Sequence, residues 1–278
     1  MITWIFTQGG DWVYSVTARA KMVKQPRGGY ARVADFLTHS FDDGYELCEQ
    51  ENVHASIVGM AVDYLTRYQM GASASDAFQI SLAGAERAER LCGQKGSIKK
   101  ARKLLSNITG LDNRSIISAC KLASFDVWIR NYKDAYCAKG ADQIEPDSDT
   151  IYNIETMVCR CLDFWELYGP IVLDGFTFEP YGYTNLVSSG DGDFLTYDTL
   201  WDFKVSKSKP TSKQTLQLLM YWIMGQHSGN PAFSSVEFIG IFNPRLNMAY
   251  TLDTLIIPQE TISIIEQEVI GYDGADIY

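Results

Sequence analysis

The chain has 278 residues, with 24 Lys and Arg against 34 Asp and Glu, for a formal net charge of −10 and a sequence pI near 4.8. Hydrophobic residues make up 46% and charged residues 21%, proportions of a globular chain that exclude wholesale disorder. No apolar run approaches the ~18 residues of a membrane span, and Met1 to Gly10 carries no basic stretch followed by an apolar one, so neither a membrane segment nor a secretory leader is expected.

The elements follow in chain order. Lys21 to Tyr30 is a basic loop with Pro26 and the Gly28-Gly29 break. His54 to Tyr68 places Ile57, Val58, Ala61, Val62 and Leu65 at helical spacing. Ser73 or Ser75 can cap the next segment, and Asp76 suits its first turn. Ala83 to Leu105 reads as helix interrupted at Gly93 and Gly96, and Asp112 to Ala138 as a further helical stretch. Asp149 or Thr150 can cap a helix that runs to Tyr168 and stops at Gly169-Pro170.

The character then changes. Ile171 to Thr184 has strand composition, and Asp193 to Tyr197 and Leu200 to Ser206 read as two strands joined by a tight turn. Ser212 to Met224 is apolar and helical, Val236 to Phe242 and Met248 to Leu252 are strands, and Gln259 to Val269 is a last helix. The expected architecture is α+β or α/β, a helical first half and then a sheet with flanking helices. Three segments are read: 1–50, a helical region 51–170, and a sheet-bearing region 171–278.

Six cysteines (Cys48, Cys92, Cys120, Cys137, Cys159, Cys161) form no C-x-x-C pair, and only three histidines accompany them. A Cys/His cage for zinc is not expected. The thiols are read as reduced and mostly buried, in a cytoplasmic protein.

The net charge hides strong zoning. Residues 87–133 hold 11 basic and 3 acidic side chains, whereas 141–202 hold one basic (Arg160) and 13 acidic. Residues 203–245 return to 5 basic against 1 acidic, and 246–278 hold 6 acidic and none basic. The acidic zone ends at Asp202, where the chain reads Asp202-Phe203-Lys204.

Within a strand, side chains two apart share a face, so Asp202 and Lys204 point the same way, as do Asp191 and Asp193. Paired as a hairpin, the two strands bring carboxylates and one ammonium to one spot. Crowded carboxylates repel and favour a divalent cation, and an oxygen-only set suits Mg²⁺ or Mn²⁺ over zinc. A lysine beside a metal-bound water fits phosphodiester hydrolysis. A D-x-K triplet alone also occurs as a solvated strand edge. The following helix adds Gln217 and Tyr221, four apart on one face.

Gly190-x-Gly192-Asp193, then Asp202-Phe203-Lys204, then Gln217-x-x-x-Tyr221 resembles the ordered motif set of the PD-(D/E)XK nuclease superfamily, and the last element its RecB-type branch. The resemblance spans roughly Phe176 to Leu252. It implies a restriction-endonuclease-like core, a central mixed sheet flanked by helices, with a large helical N-terminal part or insertion. It further implies Asp193 and Asp202 as ligands of Mg²⁺ or Mn²⁺, Lys204 acting on the attacking water, and Gln217 and Tyr221 orienting the site or contacting nucleic acid. Asp191 shares a face with Asp193, and either could be the ligand. In that branch an upstream G-x-x-x-H helix supplies a further ligand. Gly59 to Asp63 matches it with Asp63 in the histidine's place, against the alternative of an Asp63–Arg67 surface pair. Glu155 is the rival acid. The iron–sulfur cysteines of some relatives are missing, since no cysteine follows Cys161, and there is no Walker A loop of a helicase motor.

Under this resemblance the basic block acquires a role. Lys95, Lys99, Lys100, Arg102 and Lys103 crowd nine positions within a basic helical lobe at 87–133, and Lys207, Lys209 and Lys213 follow the hairpin. They are expected to contact phosphates of nucleic acid without sequence specificity. The expectation is a metal-dependent nuclease, on DNA rather than RNA, in defence, recombination or repair, with a protein partner or a homodimer serving it. The competing readings are a nuclease-like fold that only binds nucleic acid or a partner, and an unrelated protein that uses its acidic surface.

Overall fold

The computed structural model of the chain describes residues 5–6 and 12–272. In order the elements are β1 (Ile5–Phe6), β2 (Trp12–Ser15), α1 (Val16–Met22), β3 (Leu37–Ser40), α2 (Ala55–Gln69), α3 (Ala74–Ala77), α4 (Gln79–Cys92), α5 (Ser97–Leu105), α6 (Asn113–Ala123), α7 (Val127–Arg130) and α8 (Ser148–Tyr168). Then come β4 (Leu173–Phe176), β5 (Val187–Ser189), β6 (Gly192–Leu195), β7 (Thr199–Phe203), α9 (Ser212–His227), β8 (Phe238–Asn243), β9 (Met248–Asp253) and α10 (Gln259–Ile264). The fold is mixed α/β and divides into two compact units, Met1–Phe41 with Tyr168–Tyr278, and Asp42–Leu167. No helix among the described residues is long and apolar enough to cross a membrane.

The first unit is built on a six-stranded mixed sheet in the order β3-β9-β8-β7-β6-β4, beside a small sheet β1-β2-β5. At its centre β7 pairs antiparallel with β6, Phe194 opposite Trp201, and parallel with β8, Asp202 opposite Ile241. Parallel neighbours need a crossover rather than a tight turn, and α9 supplies it. Leu216, Leu218, Leu219 and Met220 of α9 are fully buried, each worth about 1.5–3 kcal/mol of apolar burial. The helix is apolar nearly all round because α1 packs on it as well as β7 and β8. It opens with a capping box in which Thr211 N donates to Gln214 Oε1 at 2.8 Å.

The segment 1–50 is not separate from this sheet. Its strand β3 pairs with β9, Leu37 opposite Thr251 and Ser40 opposite Met248. Of the region 171–184, only Leu173–Phe176 is strand.

The second unit is helical. The α2 stripe Ile57, Val58, Ala61, Val62 and Leu65 is buried, as its spacing predicts. Ser73 Oγ accepts from Asp76 N and caps α3, and the break at Gly93–Gly96 separates α4 from α5. The helical stretch expected over 112–138 ends its regular part at Ala123 and turns through Ser124–Asp126 into the short α7. The cause is tertiary: the fully buried Asp126 carboxylate is drawn inward, accepting from Tyr64 Oη and Ser81 Oγ at 2.5 Å each and from Arg130 Nε at 3.2 Å. The first turn of α8 is capped not by Asp149 or Thr150 but by Asp147, whose carboxylate accepts from Thr150 N at 2.9 Å.

Candidate functional site

The site lies in the first unit, where β6, β7 and α9 meet. Gly190 and Gly192 set the start of β6. At Gly190 the backbone has φ +153° and a Cβ would come 2.7 Å from Val16 Cγ2. At Gly192 a Cβ would come 2.2 Å from the ring of Phe176 on the neighbouring strand, so no larger residue fits there. Tyr183 Oη donates to the Gly190 carbonyl and holds the turn.

From this start Asp193 points toward β7, and its Oδ2 accepts the Phe203 N–H at 2.8 Å. Asp191 precedes the strand and is exposed, so the two acids are not equivalent. Asp202 is buried on β7 with only 1% of its surface exposed. Lys204 Nζ lies 2.8 Å from Asp202 Oδ1 and 2.7 Å from Oδ2, but only the first contact has hydrogen-bond geometry. The buried Oδ2 is left in ionic contact without a hydrogen bond.

Burial pushes the Asp202 carboxyl up to about 6, opposed by Lys204 and reinforced by the charge of Asp193. Tyr221, on α9, is held well above the ordinary tyrosine range by burial and by the charges of Asp202, Asp193 and Asp191. Its hydroxyl accepts from Gln217 Nε2 at 2.7 Å, and the same amide group donates to Thr17 Oγ1 on α1 at 3.1 Å. The structure therefore brings together Asp193, Asp202, Lys204, Gln217 and Tyr221. No family model, curated protein or solved structure matches this chain.

The donor set suits a hard cation. It offers carboxylate oxygens, one of them buried and short of a hydrogen bond, and no thiolate or imidazole. Among the described residues no group of three or more His, Cys, Asp and Glu converges, so Asp193 and Asp202 supply only part of a shell. Mg²⁺ characteristically keeps several waters and completes its shell with substrate phosphate oxygens.

The remaining expected residues are placed as follows. Asp63 lies on α2 of the second unit, and its Oδ1 accepts from Arg67 Nε at 2.9 Å. Glu155 is exposed on α8, also in the second unit. Lys95, Lys99, Arg102 and Lys103 are exposed, the last three sharing a face of α5, whereas Lys100 is half-buried and ion-paired with Asp142. Lys207 and Lys209, on the loop after β7, and Lys213, in the first turn of α9, are exposed in the same unit as the carboxylates.

Three residues of the site carry no local sequence signal. Thr17 meets Gln217 across 200 positions of chain. Tyr183 locks the glycine turn. Asn243, at the end of β8, donates from Nδ2 to the Ser206 carbonyl at 2.8 Å and fixes the chain leaving β7.

Proposed function

We propose that this chain is a divalent-metal-dependent nuclease of the PD-(D/E)XK type, RecB-like branch, with a restriction-endonuclease-like core in its first unit. The observation that carries the reading is the convergence of Asp193, Asp202 and Lys204 on adjacent strands, with Gln217 and Tyr221 of the following helix beside them. These residues follow the order of the motif set that the chain resembles, at similar spacing.

Asp193 and Asp202 would hold Mg²⁺ or Mn²⁺, which supplies an activated water and neutralises phosphate charge. Asp202 must be ionised to do so, and Lys204 favours that form. The Lys204 ammonium stands where it can position the attacking water and offset charge gathering on the phosphate. Tyr221 and Gln217, bonded to one another on α9, would orient the site or contact nucleic acid. Lys207, Lys209 and Lys213 supply phosphate contacts beside the site, and Lys95, Lys99, Arg102 and Lys103 offer further ones on the second unit. The substrate proposed is DNA.

Incubation with linear and circular DNA and with RNA, in Mg²⁺, Mn²⁺ or EDTA, tests this reading. Loss of intact DNA in either metal and none in EDTA is expected. Intact substrates in every condition would sink it and leave a nucleic-acid- or partner-binding role.

A further inference from the structure

A cavity of about 230 Å³ opens beside Gln217 in the first unit. Three separate segments wall it: Lys21 of α1, Ser206 and Ser208 of the loop after β7, and Lys213 at the start of α9. In a chain with ten more acids than bases, no acidic residue lines it. Among the described residues neither Lys21 nor Lys213 pairs with a carboxylate. Ser208 N donates to Ser206 Oγ at 3.2 Å, and the two hydroxyls lie 3.2 Å apart, so one keeps a proton to donate. Two lysines and a hydroxyl donor thus line the cavity with no acidic residue among them, at the positive end of a sixteen-residue helix.

We infer that this cavity is a phosphate subsite that seats the terminal phosphate monoester of a nucleic-acid strand. The choice of a terminal group follows from charge. A monoester carries about two negative charges near neutral pH, matching two lysines, whereas an internal phosphodiester carries one. Gln217 joins the cavity to the carboxylates, because it lines the one and donates to Tyr221 beside the other. That the occupant belongs to a nucleic-acid strand rests on the nuclease reading. The anion chemistry of the cavity does not.

The test is fluorescence anisotropy in EDTA with one labelled single strand, prepared with a terminal phosphate at either end and with hydroxyl ends, against the full-length protein. The phosphate-bearing strand is expected to bind about tenfold more tightly, as charge-assisted hydrogen bonds to a terminal phosphate would give. The double variant Lys21→Gln, Lys213→Gln, shown by circular dichroism to melt like the parent, is expected to lose that preference. Equal affinities in the parent, no measurable binding of either strand, or a preference that survives in the double variant overturns the inference. Competition by inorganic phosphate with no difference between strand ends marks a free-anion site and overturns the strand-end assignment. The same strands incubated with Mn²⁺ separate the two claims: preference without cleavage removes the nuclease reading alone, and cleavage without preference removes the subsite alone.

Discussion

Asp193 reaches from β6 to the neighbouring strand, and its Oδ2 accepts the Phe203 main-chain N–H at 2.8 Å, one residue from Asp202 and one from Lys204. This bond places one carboxylate against the other in spite of their repulsion. It separates two functions of a single side chain. Asp193→Asn keeps an acceptor for the Phe203 N–H and removes only the charge. Its melting temperature should stay within a few degrees of the parent, while metal-dependent cleavage should fall by at least about 100-fold. Asp193→Ala also leaves the Phe203 N–H without its acceptor, at a further cost of about 1–2 kcal/mol in denaturant unfolding.

Asp202 sets a pH dependence with two opposite signs. Its carboxyl titrates near 6 in the folded chain, above its ordinary value of 3.8, because it is buried. Between those values the folded state binds more protons than the unfolded state, so the metal-free protein should lose stability as pH rises from about 4 to above 6. Metal must compete with that proton, so Mn²⁺ affinity should climb through the same range and level off above it. Thermal melts in EDTA and calorimetric Mn²⁺ titrations measure the two trends. In Asp202→Asn both should vanish.

Tyr221 and Gln217 are bonded to one another on α9, and Tyr221 lies within electrostatic reach of the carboxylates. Tyr221→Phe removes the acceptor of one Gln217 hydrogen bond and leaves the bond to Thr17. A stability loss of about 1 kcal/mol is expected from urea unfolding. Cleavage should fall about tenfold, more than the stability change accounts for, because Tyr221 lies within electrostatic reach of the acids. Equal activity of parent and variant would reduce Tyr221 to a packing residue.

The second unit has its own acid-sensitive point. Arg160, 6% exposed, donates from Nε and Nη2 to Asp43 at 2.5 and 3.1 Å, and from Nη2 to the Tyr45 carbonyl at 2.7 Å. The hydrogen bonds from Arg160 hold the Asp43 carboxyl below its ordinary 3.8. A lowered folded value means stability that is present above 3.8 and lost as pH falls through the folded value, so this pair should weaken only in strong acid. Arg160→Met should destabilise by about 2 kcal/mol, less than for a fully buried pair, because Asp43 keeps some contact with water. Denaturant unfolding at neutral pH reads that loss.

Much of this arrangement is legible in the residues, and the rest is hidden for physical reasons. The α2 stripe and the α9 helix show in spacing, because amphipathic or wholly apolar periodicity is local. The strands β6, β7, β8 and β9 show in composition and turn residues, and Asp202 and Lys204 share a face by strand alternation alone. What does not show is long-range. The four residues of β3, Leu-Thr-His-Ser, are all exposed, carry no alternating pattern, and become a strand only by pairing with β9 across the chain. The break after Ala123 depends on Tyr64 and Ser81 holding Asp126, which no spacing within 112–138 reveals. The helix expected over 259–269 keeps α geometry only to Ile264 and widens to a π turn over Ile265–Ile270 before Gly271. Thr17 enters the site because α1 packs on α9, a contact that the sequence near Thr17 does not announce.

The most direct test of the nuclease account is the single-turnover cleavage rate of linear DNA in Mn²⁺ for the parent, Asp202→Asn and Lys204→Gln, each first shown to melt cooperatively. The account predicts cleavage by the parent and a fall of at least about 1,000-fold in each variant, as expected when a metal ligand or an electrostatic group at the reacting phosphate is removed. Undiminished cleavage in both folded variants, or none by the parent in any metal, would contradict it.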